Sequence, residues 1–533
     1  MKNIIISFAV LILFVSCSDS FLESTPVMSE TEESFYVNDE QMFKALVACY
    51  DPLQYSADAP LSPVVPFGEI RSDNARTGGG SDQDQPDMQD IEAFRNTSVN
   101  SISEVAWKYR YKGIYRCNLV INSEYDSDLA KIYKAEAKFL RAWYHFDLMR
   151  YYGPCVVSTQ TLYPAGHKFV RNTRLEVNKQ IEKDLLEAIP VLEETFPADM
   201  TGRIRKSAAQ ALLAKVYLYW ADWTNDDKDM FDKVIPLLEG EEGVMKSGLY
   251  SLYNDFSKLF AAYNENNSES IFEVQRCTDG NNKDGSEGNF YARFLGPRSL
   301  SKNPDYKAGY GFLLPTEELY KYFLADDTKR RDAVVFTYDD LVTKPNEQIT
   351  EPAKKVKWDI SSYGPDFEGF AQRKYPQFLS YTITGNQNFN QPGNERLLRY
   401  GEVYLMLAEA YLRGTNVNED KAKYYIDELR KYHVGGGSDT YRKVDDLLRE
   451  HPDRFHNVMD VLWYERRCEL AGEGDRWFDL VRTGRAEEVM MPILREKYGI
   501  TQWDKKFNYL PIGSIEITNS GGSLTEYPDE VNQ

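Results

Sequence analysis

The sequence predicts a mostly α-helical protein in which pairs of helices form a frame and long, loop-rich insertions interrupt it. Apolar residues recur at steps of three and four residues over four segments, which is the spacing of one helix face. Three of these segments stop at or near a glycine, as helices commonly do. Strand-like patterns are short and lie among turn-forming residues. The four helical segments are 130–150, 207–223, 397–413 and 457–471.

The helical segments share one arrangement of small and large residues. Alanines are followed about one turn later by large aromatic residues, as in AEAKFLRAWYHF, AQALLAKVYLYW and YLMLAEAYLRG. Small residues let a partner helix approach closely and the aromatic ring fills the groove beside it, which is the logic of tetratricopeptide repeats. Because the copies are irregularly spaced, we expect tetratricopeptide-like helix pairs with insertions rather than a regular array. Ser207 is the expected N-cap of the second segment.

Two insertions are predicted, near residues 68–100 and 264–396. The second holds a strand-like run at 270–275 and then a Gly/Asn/Asp-rich stretch at 279–285. Loops of this length in a compact protein are usually functional or disordered. Their aromatic content argues against plain disorder; the residues concerned are Phe290, Tyr291, Phe294, Tyr306, Tyr310, Phe312 and Trp358.

The size and charge of the chain limit its organisation and its partners. The 533 residues exceed what a single core usually organises, so we expect two or three packed units. The formal net charge of −20 argues against nucleic acid as a partner, because a phosphate backbone requires clustered Lys and Arg.

The N-terminus predicts a lipoprotein signal peptide over residues 1–16 and a mature domain over 17–533. The apolar run at 4–15 is preceded by Lys2, closed by the small residue Ser16, and shorter than the roughly 20 residues that span a bilayer. The stretch FVSC at 14–17 resembles a bacterial lipobox, which predicts lipidation of Cys17. Several acyl chains would then anchor the protein to a membrane.

The motifs of common enzymes and metal sites are missing from the sequence. It contains no H-E-x-x-H, G-x-S-x-G or G-x-x-x-x-G-K-[ST] pattern, and its six cysteines form no C-x-x-C pair. We therefore expect no cofactor, no metal site and no catalytic residue. If Cys17 carries lipid, five cysteines remain, and buried free thiols are the expected state.

An ordered series of motifs resembles the SusD/RagB family of Bacteroidetes lipoproteins. Each motif is weak alone, but the series runs in family order from residue 17 to about 517. It comprises FLE at 21–23, RSDN at 71–74, IYRCN at 114–118, AEAKFLRA at 135–142, YYGP at 151–154, RYGEV at 399–403, LAEA at 407–410, ERRCEL at 465–470, GEGDRWFDLVR at 472–482 and YLPI at 509–512.

The resemblance implies a surface-exposed, lipid-anchored outer-membrane protein that captures an oligosaccharide for import. Its implied partner is a SusC-like TonB-dependent transporter, on which family members sit as a lid. Three alternatives stay open: capture of peptides by the same fold, a surface glycoside hydrolase, and a mainly structural subunit of the transporter. We interpret the Arg and Glu residues of the ERRCEL segment as buried ion pairs of the frame.

Candidate ligand contacts come from the two insertions, where a helical frame can present them. A sugar offers apolar faces to aromatic rings and a hydroxyl rim to polar groups. Asp73, Asn74 and Arg76 are the polar candidates, although the first two also match a frame-like motif. In the second insertion the candidates are Tyr291 and Phe294 for stacking, Arg293 between them, and Trp358 beside Lys354, Lys355 and Lys357.

Overall fold

The computed structural model describes residues 36–54, 64–224, 227–278, 288–375, 378–381 and 390–532. The predicted signal peptide, Cys17 and the stretch 279–285 lie outside these residues. No helix in the described part of the chain is long and apolar enough to cross a bilayer.

Helices dominate the structure, as the sequence predicts. The N-terminal half contains α1 (Asp39–Tyr50), α2 (Val64–Ile70), α3 (Pro86–Glu92), α4 (Ser101–Ile121), α5 (Asp128–Tyr152), α6 (Arg174–Ala188), α7 (Lys206–Trp223) and α8 (Lys228–Leu238). The short helices α9 (Tyr291–Leu295), α10 (Glu317–Tyr322), α11 (Thr328–Val334) and α12 (Lys344–Glu347) follow. The C-terminal part contains α13 (Tyr400–Arg413), α14 (Glu419–His433), α15 (Val444–Glu450), α16 (Val458–Leu470), α17 (Arg476–Arg482), α18 (Ala486–Tyr498) and α19 (Ser514–Asn519).

The ends of the predicted helices show why they form where they do. Helix α5 starts at Ser127, whose side chain accepts from the Ala130 amide, and ends at Gly153 with φ +69°. Ser207 is not the cap of α7, because Arg205 holds that position and the Ser207 hydroxyl bonds to Tyr250 at 2.7 Å. Helix α13 starts three residues later than predicted, since residues 395–399 form a strand.

Consecutive helices pack against one another in the arrangement expected for tetratricopeptide-like pairs. Helix α4 packs on α5, α5 on α6, α7 on α8, and α13 on α14. Helix α8 also packs on α13, although about 160 residues separate them in sequence, so the frame is continuous across the second insertion. Trp107, Trp143 and Trp220 are buried in this core, and Trp463 is partly buried against it.

The second insertion leaves and re-enters the frame through one pair of strands. Strands β2 (Ser270–Val274) and β8 (Glu395–Arg399) are antiparallel, with Ser270 opposite Arg399 and Val274 opposite Glu395. We call residues 275–394 the insertion, and β2 with β8 its base. The remaining strands are β1 (Ala75–Gly78), β3 (Leu300–Ser301), β4 (Phe312–Pro315), β5 (Val335–Phe336), β6 (Lys357–Trp358) and β7 (Ala371–Gln372).

The insertion has a small hydrophobic core of its own, beside the main core that runs from Met42 to Leu524. Strand pairs β3–β6 and β5–β7 lie within it, while β4 pairs with β1 and so joins the two insertions. The nine buried residues of the small core are Leu300, Leu314, Phe336, Leu341, Val342, Val356, Trp358, Tyr363 and Ala371. This core holds the described strands between residues 300 and 372 together as a folded unit.

Four of the five described cysteines are free thiols in the interior. Cys49, Cys117, Cys155 and Cys468 are buried, as expected, whereas Cys277 is exposed just after β2. Burial raises the pKa of the Cys155 thiol to about 12, which leaves it protonated and unreactive.

Buried ion pairs connect the ERRCEL segment to the rest of the chain, which confirms the interpretation of that motif. Glu469 accepts from Arg399 at 2.5 Å and from Arg330 at 3.2 Å, and it lies 2.8 Å from Nδ1 of His433. Glu465 binds Arg330 and Arg430. These side chains are buried, and they join α16 to α11, α14 and the base of the insertion.

His433 forms the second link between the base and the frame. Its Nε2 lies 2.6 Å from Glu269, which immediately precedes β2, while its Nδ1 faces Glu469. Both ring nitrogens therefore act as donors to carboxylates, which makes the ring an imidazolium. Burial lowers the pKa of His433, but the two carboxylates outweigh it and raise that pKa from 6.5 to about 9.

We expect Glu469→Gln to lower the free energy of unfolding by about 3 kcal/mol, because it removes the one buried carboxylate that Arg399, Arg330 and His433 share. Denaturant unfolding followed by circular dichroism measures this change. The control is Glu488→Gln on α18, an exposed carboxylate whose removal is expected to change stability by less than about 0.5 kcal/mol. Equal midpoints for the two variants would contradict the structural role of Glu469.

We expect the stability of the wild-type protein to fall as pH rises from about 6.5 to about 9. The folded-state pKa of His433 is raised, so its contribution is complete below the unfolded value near 6.5 and is lost through about 9. Unfolding free energies measured across this range should decline by about 2–3 kcal/mol more in the wild type than in His433→Gln. The exposed His456→Gln variant should follow the wild type; parallel curves for all three proteins would refute the assignment.

Candidate functional site

Asp73 and Asn74 lie in the interior, at the end of α2. The Asp73 carboxylate accepts from Arg476 at 2.8 and 2.9 Å and faces Arg467 at 3.0 Å. Burial alone would raise the pKa of Asp73, but the two guanidinium groups hold it well below its usual range. Asn74 donates to Glu69 at 3.0 Å and accepts from Arg467 at 2.9 Å. Both side chains hold the first insertion on the frame. Their polar groups bind protein partners in this conformation, so ligand contact by Asp73 and Asn74 stays a prediction.

Arg76 lies on β1 and is engaged by the insertion. Its Nε donates to Glu368 at 2.9 Å, and 13% of its side chain is exposed. Glu368 also accepts from the backbone amide of Glu317, which starts α10. Arg76 therefore links β1 to two parts of the insertion, and ligand contact by it stays a prediction.

Tyr291 and Phe294 are buried in the main core, on the short helix α9. Phe294 stacks on Phe312 with ring centroids 4.3 Å apart, and Tyr291 stacks on Tyr375 at 6.3 Å. Both residues are 2% exposed, so protein contacts occupy the ring faces that we expected to stack on a sugar. The candidate surface described below therefore excludes them.

Arg293, between these two residues, is only partly buried. Its guanidinium lies 4.9 Å from the ring centroid of Tyr310 and donates to the carbonyl of Ala308. Phe290 lies 6.1 Å from the same ring. Arg293 thus belongs to a half-buried edge of the insertion and stays a candidate ligand contact.

Trp358 is 4% exposed and belongs to the small core of the insertion. Its indole N–H donates to the carbonyl of Arg298 at 3.0 Å. Tyr338 stacks on it with ring centroids 6.0 Å apart and is itself 47% exposed. The neighbouring Lys354 pairs with Glu351, and Lys355 donates to the carbonyl of Asn346. The structure therefore gives Trp358 an interior role.

The structure brings together a different group of aromatic side chains on the insertion and beside its base. Phe378 lies 5.2 Å from Tyr306, 5.3 Å from Tyr381 and 5.9 Å from Tyr263, measured between ring centroids. Tyr263 is 63% exposed, and the other three are partly exposed. We call these four residues the Phe378 surface.

Backbone and side-chain contacts fix the rings of the Phe378 surface. Tyr306 and Phe378 form an isolated antiparallel bridge, and the amide of Leu379 donates to the carbonyl of Asp305 at 2.7 Å. The hydroxyl of Tyr381 accepts from the amide of Ala262 at 2.9 Å. Burial raises the pKa of Tyr381 well above its usual range, so this hydroxyl stays protonated.

Polar groups surround the Phe378 surface. Lys307 donates to the carbonyl of Tyr381 at 3.2 Å, and Arg373 lies over Phe336, which itself packs edge-on against Tyr306. Three residues after Lys307, the ring of Tyr310 contacts the guanidinium group of Arg293. An array of partly exposed rings with ammonium, guanidinium and hydroxyl groups beside it suits a ligand with flat apolar faces and a hydrogen-bonding rim.

Sequence reasoning missed this surface because it depends on long-range contacts. Tyr306 is one of the aromatic residues expected in the second insertion, but Phe378, which it contacts, lies more than 70 residues after it. Tyr263, which also contacts Phe378, lies more than 40 residues before Tyr306. The available signal was the density of aromatic residues around 375–381. In the described residues no group of three or more His, Cys, Asp or Glu side chains is arranged to hold a metal ion.

Comparison with known proteins identifies the family. A model described as "Starch-binding associating with outer membrane" matches residues 20–218, and the SusD family model matches residues 361–528. Together they cover well over half of the chain. The chain belongs to the SusD family.

Relatives in this family match over nearly the whole chain. A SusD-like protein from Bacteroides ovatus is 25% identical, covering 88% of this chain and 80% of its own length. SusD-like protein P38 from Formosa agariphila is 26% identical, covering 96% of this chain and 97% of its own length.

Solved structures of SusD-like proteins share the fold. A laminarin-binding SusD-like protein aligns with a TM-score of 0.73 and 28% identity, over 92% of this chain and 100% of its own. Surface glycan-binding protein A from Bacteroides thetaiotaomicron, solved in complex with laminarihexaose, aligns with a TM-score of 0.75 and 24% identity, over 92% of this chain and 99% of its own. These matches confirm the predicted SusD-like fold.

We expect Tyr291→Ala to destabilise the protein by about 3–5 kcal/mol, because it empties a buried aromatic position. Tyr263→Ala, at a ring that is 63% exposed, should change stability by less than about 0.5 kcal/mol. Thermal and denaturant unfolding of the two variants measure the difference. A Tyr291→Ala protein as stable as the wild type would show that the ring is not part of the core.

Proposed function

We propose that this SusD-family protein binds an oligosaccharide or polysaccharide at the cell surface and leaves it uncleaved. The observation that carries the proposal is the Phe378 surface, an array of exposed and partly exposed aromatic rings on the insertion and beside its base. The 28% identity to a laminarin-binding SusD-like protein, over the full length of that protein, supports the same ligand class.

The proposal extends to location and partner. Cys17 carries the lipid that anchors the mature chain, and the polar residues after it form the start of a tether. The bound glycan passes to a SusC-like TonB-dependent transporter in the outer membrane. One matched family model is described as "Starch-binding associating with outer membrane", and this description supports the location.

Rigid support of the rings is what makes the surface suitable for binding. The insertion is fixed by its own core, by β1–β4 pairing and by the ion pairs at its base. A ligand that stacks on prearranged rings loses less free energy to ordering of the protein than a ligand that must organise a mobile loop. The hydroxyl rim of the sugar would be bound by Lys307, Arg373 and Arg293.

The proposal is tested by affinity electrophoresis and calorimetry with laminarin, laminarihexaose and a panel of neutral and acidic polysaccharides. We expect saturable binding of at least one glycan, and a loss of about tenfold in affinity in the double variant Tyr263→Ala/Phe378→Ala, because each stacked ring contributes about 0.5–1.5 kcal/mol.

The control is Tyr424→Ala, which removes a 54%-exposed ring from α14 of the frame and should bind as the wild type does. Chromatography after long incubation should show no shortened sugar. Release of cleaved product would indicate a hydrolase, and binding of a peptide library without any glycan would indicate peptide capture.

A further inference from the structure

A second concave surface lies on the helical frame and contains no residue of the insertion. It is formed by one face of α4, by the segment 156–169 and by α19 near the C-terminus. Its volume of about 450 Å³ falls in the range of roughly 300–1,000 Å³ typical of small-molecule sites. We call it the Tyr115 groove; its aromatic lining residues are Trp107, Tyr111, Tyr115, Tyr163 and Phe169.

The rings of the Tyr115 groove are held in place. The hydroxyl of Tyr111 donates to the carbonyl of Val156 and accepts from its amide, both at 2.9 Å. The hydroxyl of Tyr163 bonds to that of Ser158 at 3.0 Å, and its ring packs edge-on against Phe169 at 5.0 Å. Tyr115 is 46% exposed. These contacts use the hydroxyls of Tyr111 and Tyr163 and orient their rings.

Five polar side chains of the Tyr115 groove are unengaged, whereas the hydroxyls of Ser158 and Ser520 are hydrogen-bonded. Lys108, Gln160, Thr161, Glu516 and Asn519 form no side-chain hydrogen bond or ion pair with any other described residue. Partial burial raises the pKa of Glu516, and the nearby Glu104 carboxylate raises it further. The positive charge of Lys108 lowers that pKa. The groove thus combines oriented rings with donors and acceptors that have no partner in the described protein.

We propose that the Tyr115 groove is a second carbohydrate-binding site, which binds sugar residues by ring stacking and by hydrogen bonds from these free side chains. The inference rests on the proposed function and adds a separate subsite to it. Several aromatic rings with single hydrogen-bonding groups beside them match a pyranose, whose faces are apolar and whose edge carries hydroxyls.

A protein segment fits the groove less well than a sugar does. A docked helix needs a row of apolar anchors and a matching apolar groove. Val156 and Leu524 are the aliphatic residues that line this groove, and five free polar side chains would be desolvated by an apolar partner. We therefore assign the groove to a carbohydrate.

Two sites on one chain would act together on a polymer. Once one site holds a polysaccharide, the second encounters it at high effective concentration, provided that the polymer spans both. The Tyr115 groove should therefore matter more for long glycans than for short ones. This difference separates its contribution from that of the Phe378 surface.

The first test is hydroxyl-radical footprinting of the full-length protein with laminarihexaose, laminarin and the polysaccharide panel. We expect a bound glycan to protect Tyr115 and Tyr163 from oxidation, as well as Tyr263. Protection of Tyr263 alone would overturn the second site and leave the proposed function intact. If no glycan binds and no residue is protected, both the proposed function and the second site are refuted. Protection of Tyr115 without Tyr263 would support binding in the Tyr115 groove and contradict binding at the Phe378 surface.

The second test compares Tyr115→Ala with Tyr424→Ala, two variants that each remove an exposed ring from a frame helix. We expect Tyr115→Ala to weaken polysaccharide binding about tenfold and hexasaccharide binding less, with unchanged thermal stability. In the Tyr263→Ala/Phe378→Ala background, Tyr115→Ala should abolish the residual binding. Identical affinities for Tyr115→Ala and Tyr424→Ala in both backgrounds would refute the proposal.

Discussion

The buried carboxylate of Glu469 is the interaction on which the relation between frame and insertion depends. A charge without water is tolerated only when opposite charges and donors surround it. Here Arg399 comes from the base of the insertion, His433 from the end of α14 and Arg330 from α11. Lys374, buried just after β7, donates to the Glu469 carbonyl and to Glu473, which also binds Arg399. The Glu469 carboxylate therefore has all of its partners only when these elements are in place together.

This constraint explains how a chain rich in loops presents a defined surface. The base is fixed at the frame by Glu269, Arg399 and their partners, and the small core around Trp358 stiffens the insertion further out. Strand β1 adds a third attachment through β4, next to the pairs that Asp73 forms with Arg467 and Arg476. The aromatic rings around Phe378 are carried by this supported structure.

The sequence predicts the frame better than it predicts the site, for physical reasons. A helix face repeats every three to four residues, so the segments around Phe139 and Leu407 reveal their own packing. The ERRCEL motif is equally informative, because so many charges within an apolar helix require partners. Tyr291, Phe294 and Trp358 lie in elements of two to five residues, which are too short for any periodicity to show which way a ring points. Asp73 and Asn74 looked available for a ligand because their arginine partners are almost 400 residues away.

The antiparallel pairing of β2 with β8 places the two ends of the insertion side by side, about 4.8 Å apart as neighbouring strands are. A segment anchored at adjacent ends can change in length at a small entropic cost and with no rearrangement of the helices that flank it. Residues 219–360, which include most of the insertion, fall between the ranges that the two family models match. The insertion can therefore vary in length and sequence while the helical frame that carries it stays the same.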